Sequence, residues 1–197
     1  DYQFAKAPNP PKVTAVPGDG KVTLYWDRSA ENTQDKYMGN ITDGADLYDF
    51  EGYKIYRATD FEFNDAYNIT DGDGNPTFLE PYVQNGVRAQ WDLVDGKSGW
   101  HPVDLNGIKF YLGDDTGLTH SYVDHNVVNG QRYYYAVVSY DYGGDLSNNI
   151  IPSDSPMKLR VNPLTGAVSL GPNVVEVVPS PPSAGFVDAS FAGDQVD

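Results

Sequence analysis

The sequence predicts an all-β fold, two sheets packed as a sandwich, on three observations. Short runs such as Val13-Thr14-Ala15 and Lys21-Val22-Thr23-Leu24-Tyr25-Trp26 alternate in character at the period of two that a strand with one buried face requires. The composition, 15 Tyr, 20 Gly and 14 Pro against two Met, suits aromatic strands joined by many turns. Turn signals, Pro17-Gly18-Asp19-Gly20 and Asn129-Gly130 among them, separate the runs. At 197 residues the chain is long enough to bury a core without staples.

Residues 1–12 hold Pro8, Pro10 and Pro11 and read as an extended lead-in. Residues 13–161 read as the folded domain. Its first two strands flank the Pro-Gly-Asp-Gly turn and send Val13, Ala15, Val22, Leu24 and Trp26 inward. A polar insertion at 27–51 follows, then the strand GYKIYRA with Tyr53 and Ile55 on one face. In a second insertion, 60–117, the pattern loosens into apolar islands, read as two or three short strands. Regularity returns at HSYVDHNVVNGQRYYYAVVSYD, two strands about an Asn-Gly turn, and SPMKLRV at 155–161 reads as the closing strand. Residues 162–197, rich in Pro and Gly with one β-prone island, NVVEVV, read as a linker or arm.

Thirteen Lys plus Arg against 28 Asp plus Glu leave a net charge of −15, which repels nucleic acid and anionic membranes. Such an acidic excess fits a secreted or cell-surface protein, or one that holds calcium. Cysteine is absent, which removes disulfides, thiolate metal sites and cysteine nucleophiles together. No apolar run approaches the roughly 20 residues of a membrane span. A chain that opens at Asp1, with neither Met nor signal peptide, is expected to be a piece of a longer precursor.

PPKVTAVPGDGKVTLYWD, GYKIYR and HSYVDHNVVNGQRYYYAVVSYD together resemble strands A, B, C, E and F of a fibronectin type III domain, an immunoglobulin-like sandwich, of bacterial secreted and cell-surface proteins. Trp26 matches the core tryptophan of strand B. Val127 to Tyr133 resembles the turn ending in the tyrosine corner, where a ring packs inward and its hydroxyl bonds back to the backbone. The resemblance implies that Trp26, Tyr53 and Tyr133 are core residues, and it implies adhesion or spacing more than catalysis. The chain departs from the family in its enlarged B–C and C–E insertions, where function is expected to reside.

In the second insertion Asp71, Asp73 and Asn75 have the spacing of the first ligands of a calcium loop, and Glu80 can supply a further oxygen. Against calcium stand Pro76 where such a loop wants glycine and Tyr82 where it wants glutamate. Asp43, Asp46, Asp49, Asp114 and Asp115 are further acidic candidates. His101, His120 and His125 lack the spacing of a metal or catalytic pair, and the nucleophile elbow, phosphate loop and zinc-helix motifs are all missing. The chain is therefore expected not to be an enzyme. Asn40-Ile41-Thr42 and Asn68-Ile69-Thr70 are glycosylation sequons in the two insertions.

The strand at 133–141 poses the main question, because it is apolar on both faces. With Tyr133, Tyr135 and Val137 in the core, Tyr56, Tyr134, Val138 and Tyr140 form a patch larger than a monomer normally exposes. Three covers are open: the chain's own 60–117 insertion; another copy or another domain of the same precursor, the C-terminal arm adding to a neighbour's sheet edge; or a carbohydrate stacked on these rings and on Trp100. The functional expectation is an extracellular structural or adhesive module, a subunit of a surface filament or layer. A carbohydrate-binding accessory module and a calcium-stabilised spacer are the alternatives.

Overall fold

The structure is a computed structural model and describes residues 4–182. Its strands are antiparallel throughout. β1 (Val13–Gly18) and β2 (Lys21–Trp26) form the first hairpin, paired from Val13 against Trp26 to Gly18 against Lys21. The insertion at 27–51 carries a turn of 3-10 helix and α1 (Lys36–Ile41). Asp35 caps α1, its carboxylate accepting from Tyr37 N at 2.8 Å and Met38 N at 3.0 Å. β3 (Phe50–Ala58) then crosses the centre of the molecule.

The second insertion is a run of small hairpins: β4 (Asn68–Thr70) with β5 (Pro76–Leu79), β6 (Val83–Gln84) with β7 (Val87–Arg88), and, after β8 (Gln90–Asp92), β9 (Trp100–Leu105) with β10 (Ile108–Tyr111). This is more strand than the apolar islands suggest. Two of the turns are Asn85-Gly86 and Asn106-Gly107, all four residues at positive φ, the conformation a tight hairpin demands and Asn-Gly adopts cheaply. β11 (Ser121–Asp124), β12 (Tyr133–Asp141), β13 (Leu159–Val161), β14 (Val168–Leu170) and β15 (Val174–Val177) complete the chain.

Two sheets, ordered β1-β2-β11 and β15-β12-β3-β8, face each other. Val22, Leu24 and Trp26 from one meet Tyr53, Ile55, Tyr133, Tyr135 and Val137 from the other in a single core. Each such side chain contributes about 1.5–3 kcal/mol by leaving water.

The opposite face of the second sheet is covered as well, so that all nine residues of β12 are buried. Phe61, Phe63 and Leu79 of the insertion, with Met157, Leu170 and Val174 from the C-terminal side, lie over Tyr56, Tyr134, Ala136 and Val138. Phe110 and Leu112, flanked by Phe78, cover Tyr140.

The end of the chain differs from expectation. Residues 159–161 do not close the sheet; they pair with β14 in a separate hairpin, because Asn162-Pro163-Leu164-Thr165-Gly166 turns the chain straight back, Gly166 at φ 68°. The closing strand is β15, from the NVVEVV island expected in the arm, with Tyr133 against Val177 and Ala136 against Val174. Valines suit both sides there: Val177 enters the sandwich core and Val174 the outer cluster. The arm expected over 162–197 is thus part of the fold up to β15, and its portion from residue 183 lies outside the described residues.

Candidate functional site

The residues expected to meet a partner or ligand are mostly not on the surface. Tyr56, Tyr134, Val138 and Tyr140 are each no more than 6% exposed, sealed by the chain's own insertion and C-terminal segment. No second copy or sugar can rest on them in this fold. Trp100 is 58% exposed, its ring edge-to-face with Tyr111 at 4.9 Å. Trp26, Tyr53 and Tyr133 lie in the core, and the Tyr133 hydroxyl accepts from Val128 N at 3.0 Å.

The residues proposed for calcium are engaged within the chain. One Asp71 oxygen accepts from Asp73 N at 3.0 Å and Asn75 N at 2.9 Å, which closes the β4–β5 turn. Glu80 lies beyond that hairpin and pairs with Arg88 at 2.6 Å. Among the described residues no group of three His, Asp or Glu is placed to hold a metal ion. His101 is buried on the carbonyl of Gly144, His120 lies on Glu31 at 2.5 Å, and His125 stands by Gln84, so the three are tied to different parts of the chain. Both sequon asparagines, Asn40 and Asn68, are exposed.

Several charged groups are buried. Lys54 pairs with Asp154 at 3.1 Å beneath the Phe110 ring, 3.6 Å from its centroid, and Tyr56 donates to the same carboxylate at 2.7 Å. Burial lowers the Lys54 pKa against the pull of Asp154. Asp124, fully buried, holds Arg57 at 3.0 Å and accepts from Tyr135 at 2.7 Å. Glu51 is different: neither of its oxygens has a hydrogen-bond partner, and burial, reinforced by Asp95, pushes its carboxyl up to about 8. Burial and the neighbouring Asp141 do the same to Asp49, also to about 8, and burial lifts Asp141 to about 7.

A cleft of about 520 Å³ lies beside β8 and β11, the edge strands of the two sheets, and the second insertion supplies most of its walls. The β6–β7 hairpin is fastened to β3 through Tyr82 N on Ile55 O at 2.8 Å. On the other side Gln84 fastens it to the β11 segment, donating to Val123 O at 3.3 Å and accepting from His125 N at 2.9 Å. Trp91 on β8 stacks 5.5 Å from Tyr122 on β11 and 5.8 Å from Trp26. Tyr111 donates its hydroxyl to Asp114, and the Arg88 guanidinium sits 5.0 Å from the Tyr111 ring. Asp92 shapes the following loop by accepting from Asp115 N at 2.6 Å and Thr116 N at 2.8 Å.

Of this lining the sequence reading singles out only Asp114, as an acid. Asn85-Gly86 is a hairpin signal that the sequence reading passes over, and nothing local shows that Trp91, Tyr111 and Tyr122 converge. No family model matches the chain, no curated protein matches it, and no solved structure matches it.

Proposed function

We propose that the chain is a fibronectin type III-like module of a secreted or cell-surface protein, a load-bearing structural element threaded in line and not an enzyme. The observation that carries this reading is that, among the described residues, the first strand begins at one pole of the sandwich and the last strand ends at the other. At the start of β1, Asp27 N donates to Lys12 O at 3.1 Å and Val13 N to Pro172 O at 2.8 Å. Past the end of β15, Gly130 N donates to Pro179 O at 2.8 Å, beside the β1–β2 turn, which Asn129 grips through Asp19 at 2.6 Å and Gly20 N at 2.9 Å. The six residues of β1 put about 20 Å between the poles.

Further support comes from the strand order. β1-β2-β11 against β15-β12-β3 follows the division of strands A, B and E from G, F and C in immunoglobulin-like sandwiches, and the Tyr133 hydroxyl makes the backbone bond of a tyrosine corner. The acidic excess suits a protein outside the cell, and no helix among the described residues is long and apolar enough to cross a membrane. A filament joined through the outer face of β12 draws no support from this geometry, since that face is buried in the chain.

Single-molecule pulling on the chain held at both ends tests the reading. The expected trace is one cooperative rupture whose released length, at roughly 3.6 Å per residue, accounts for the whole sandwich. Elongation without a force peak contradicts it.

A further inference from the structure

We propose that the cleft beside β8 and β11 binds a neutral oligosaccharide, with aromatic rings as platforms and Asp114 and Arg88 as the groups that fix its hydroxyls. This goes beyond the structural reading, which stands or falls by the pulling experiment alone.

A sugar ring offers a flat array of C–H bonds, which stacks on aromatic faces, and a rim of hydroxyls that each need a donor and an acceptor. The cleft and its margin carry both kinds of group. Trp91 and Tyr111 line it, and the exposed Trp100 stands edge-to-face with Tyr111 just outside, so the aromatic surface continues beyond the cleft mouth. Asp114 receives the Tyr111 hydroxyl on one oxygen, and its other oxygen has no hydrogen-bond partner among the described residues. Arg88 gives its Nε–H to Glu80, which leaves the two amino groups of the guanidinium as donors. A carboxylate accepts from sugar hydroxyls and a guanidinium donates to them.

Tyr122 adds a further ring to the lining of the cleft. The volume, about 520 Å³, falls within the roughly 300–1,000 Å³ of small-molecule sites. The charge selects the class of sugar. Glu80 already neutralises Arg88, Asp114 has no cation opposite it, and the chain carries −15, so an acidic glycan is repelled and a neutral one is not.

The test is calorimetry of the full chain with hexasaccharides of β-linked glucose, xylose, mannose and N-acetylglucosamine, with heparin and alginate as charged controls. At least one neutral probe is expected to give saturable binding. Trp100→Ala and Asp114→Ala are each expected to weaken it about tenfold or more. Both side chains are exposed, so the variants are expected to melt with the parent chain, which separates lost binding from lost folding. The proposal is overturned if no neutral probe binds, if only the charged glycans bind, or if both variants bind with parental affinity.

Discussion

Gly52 marks a tight point at the centre of the fold. A Cβ built there meets the Trp91 carbonyl oxygen at 2.2 Å and the Tyr140 hydroxyl at 2.7 Å, so the outer tyrosine can lie flat on β3 only because that position has no side chain. Gly52→Ala is expected to cost about 1–3 kcal/mol or more in urea unfolding. A second residue-scale effect comes from the buried acids. Glu51, Asp49 and Asp141 hold their protons more tightly folded than unfolded, with pKa values raised to about 8, 8 and 7. Their contribution to stability is complete below about pH 4, where the unfolded carboxyls are also protonated, and drains away as pH rises through the folded values. The melting temperature is therefore expected to fall between pH 5 and 8. Glu51→Gln should make that fall shallower, and an identical pH profile would show that Glu51 does not titrate there. Neither feature can be read from the chain alone: Glu51 stands in a strand with the look of any half-exposed acid, and only the insertion packed above it removes the water.

Among the elements, β15 carries the sharpest contrast. Val177 is buried against Tyr133 at the closing edge of the sheet, whereas Leu164 at the tip of the β13–β14 hairpin is 94% exposed. Val177→Asp puts an unpaired charge in the core and is expected to cost about 3 kcal/mol or more, while Leu164→Ser changes stability by less than about 0.5 kcal/mol. Comparable losses from both would mean that the hairpin, not β15, closes the sheet. The central strands β2, β3 and β12 were legible because their alternation is strong and Trp26, Tyr53 and Tyr133 each fit one inward face. The closing strand was misplaced because SPMKLRV alternates as well as NVVEVV does, and local pairing across Asn162–Gly166 outweighs that pattern. In the second insertion the sequence reading passes over Asn85-Gly86 and Asn106-Gly107, two hairpin signals set among irregular apolar islands. The six-residue α1 holds Gly39 and Asn40, so helical propensity hardly announces it, and its cap at Asp35 is its main local signal.

For the molecule as a whole, the strand that is apolar on both faces decides the architecture. Its outer rings need shelter, and the two parts of the sequence with the weakest patterns, the 60–117 insertion and the segment after 155, supply it. That need was visible in Tyr134, Val138 and Tyr140, and the 60–117 insertion is among the covers expected for it, but the share taken by the segment after 155 was not legible, because such contacts join residues far apart in sequence. Hydroxyl-radical footprinting of the monomeric chain measures this sealing directly. Tyr25 and Tyr67, which are exposed, should label rapidly, and Tyr56, Tyr134 and Tyr140 should be protected at every concentration. If Tyr134 and Tyr140 label as fast as Tyr67 in dilute monomer, the chain does not cover its own sheet.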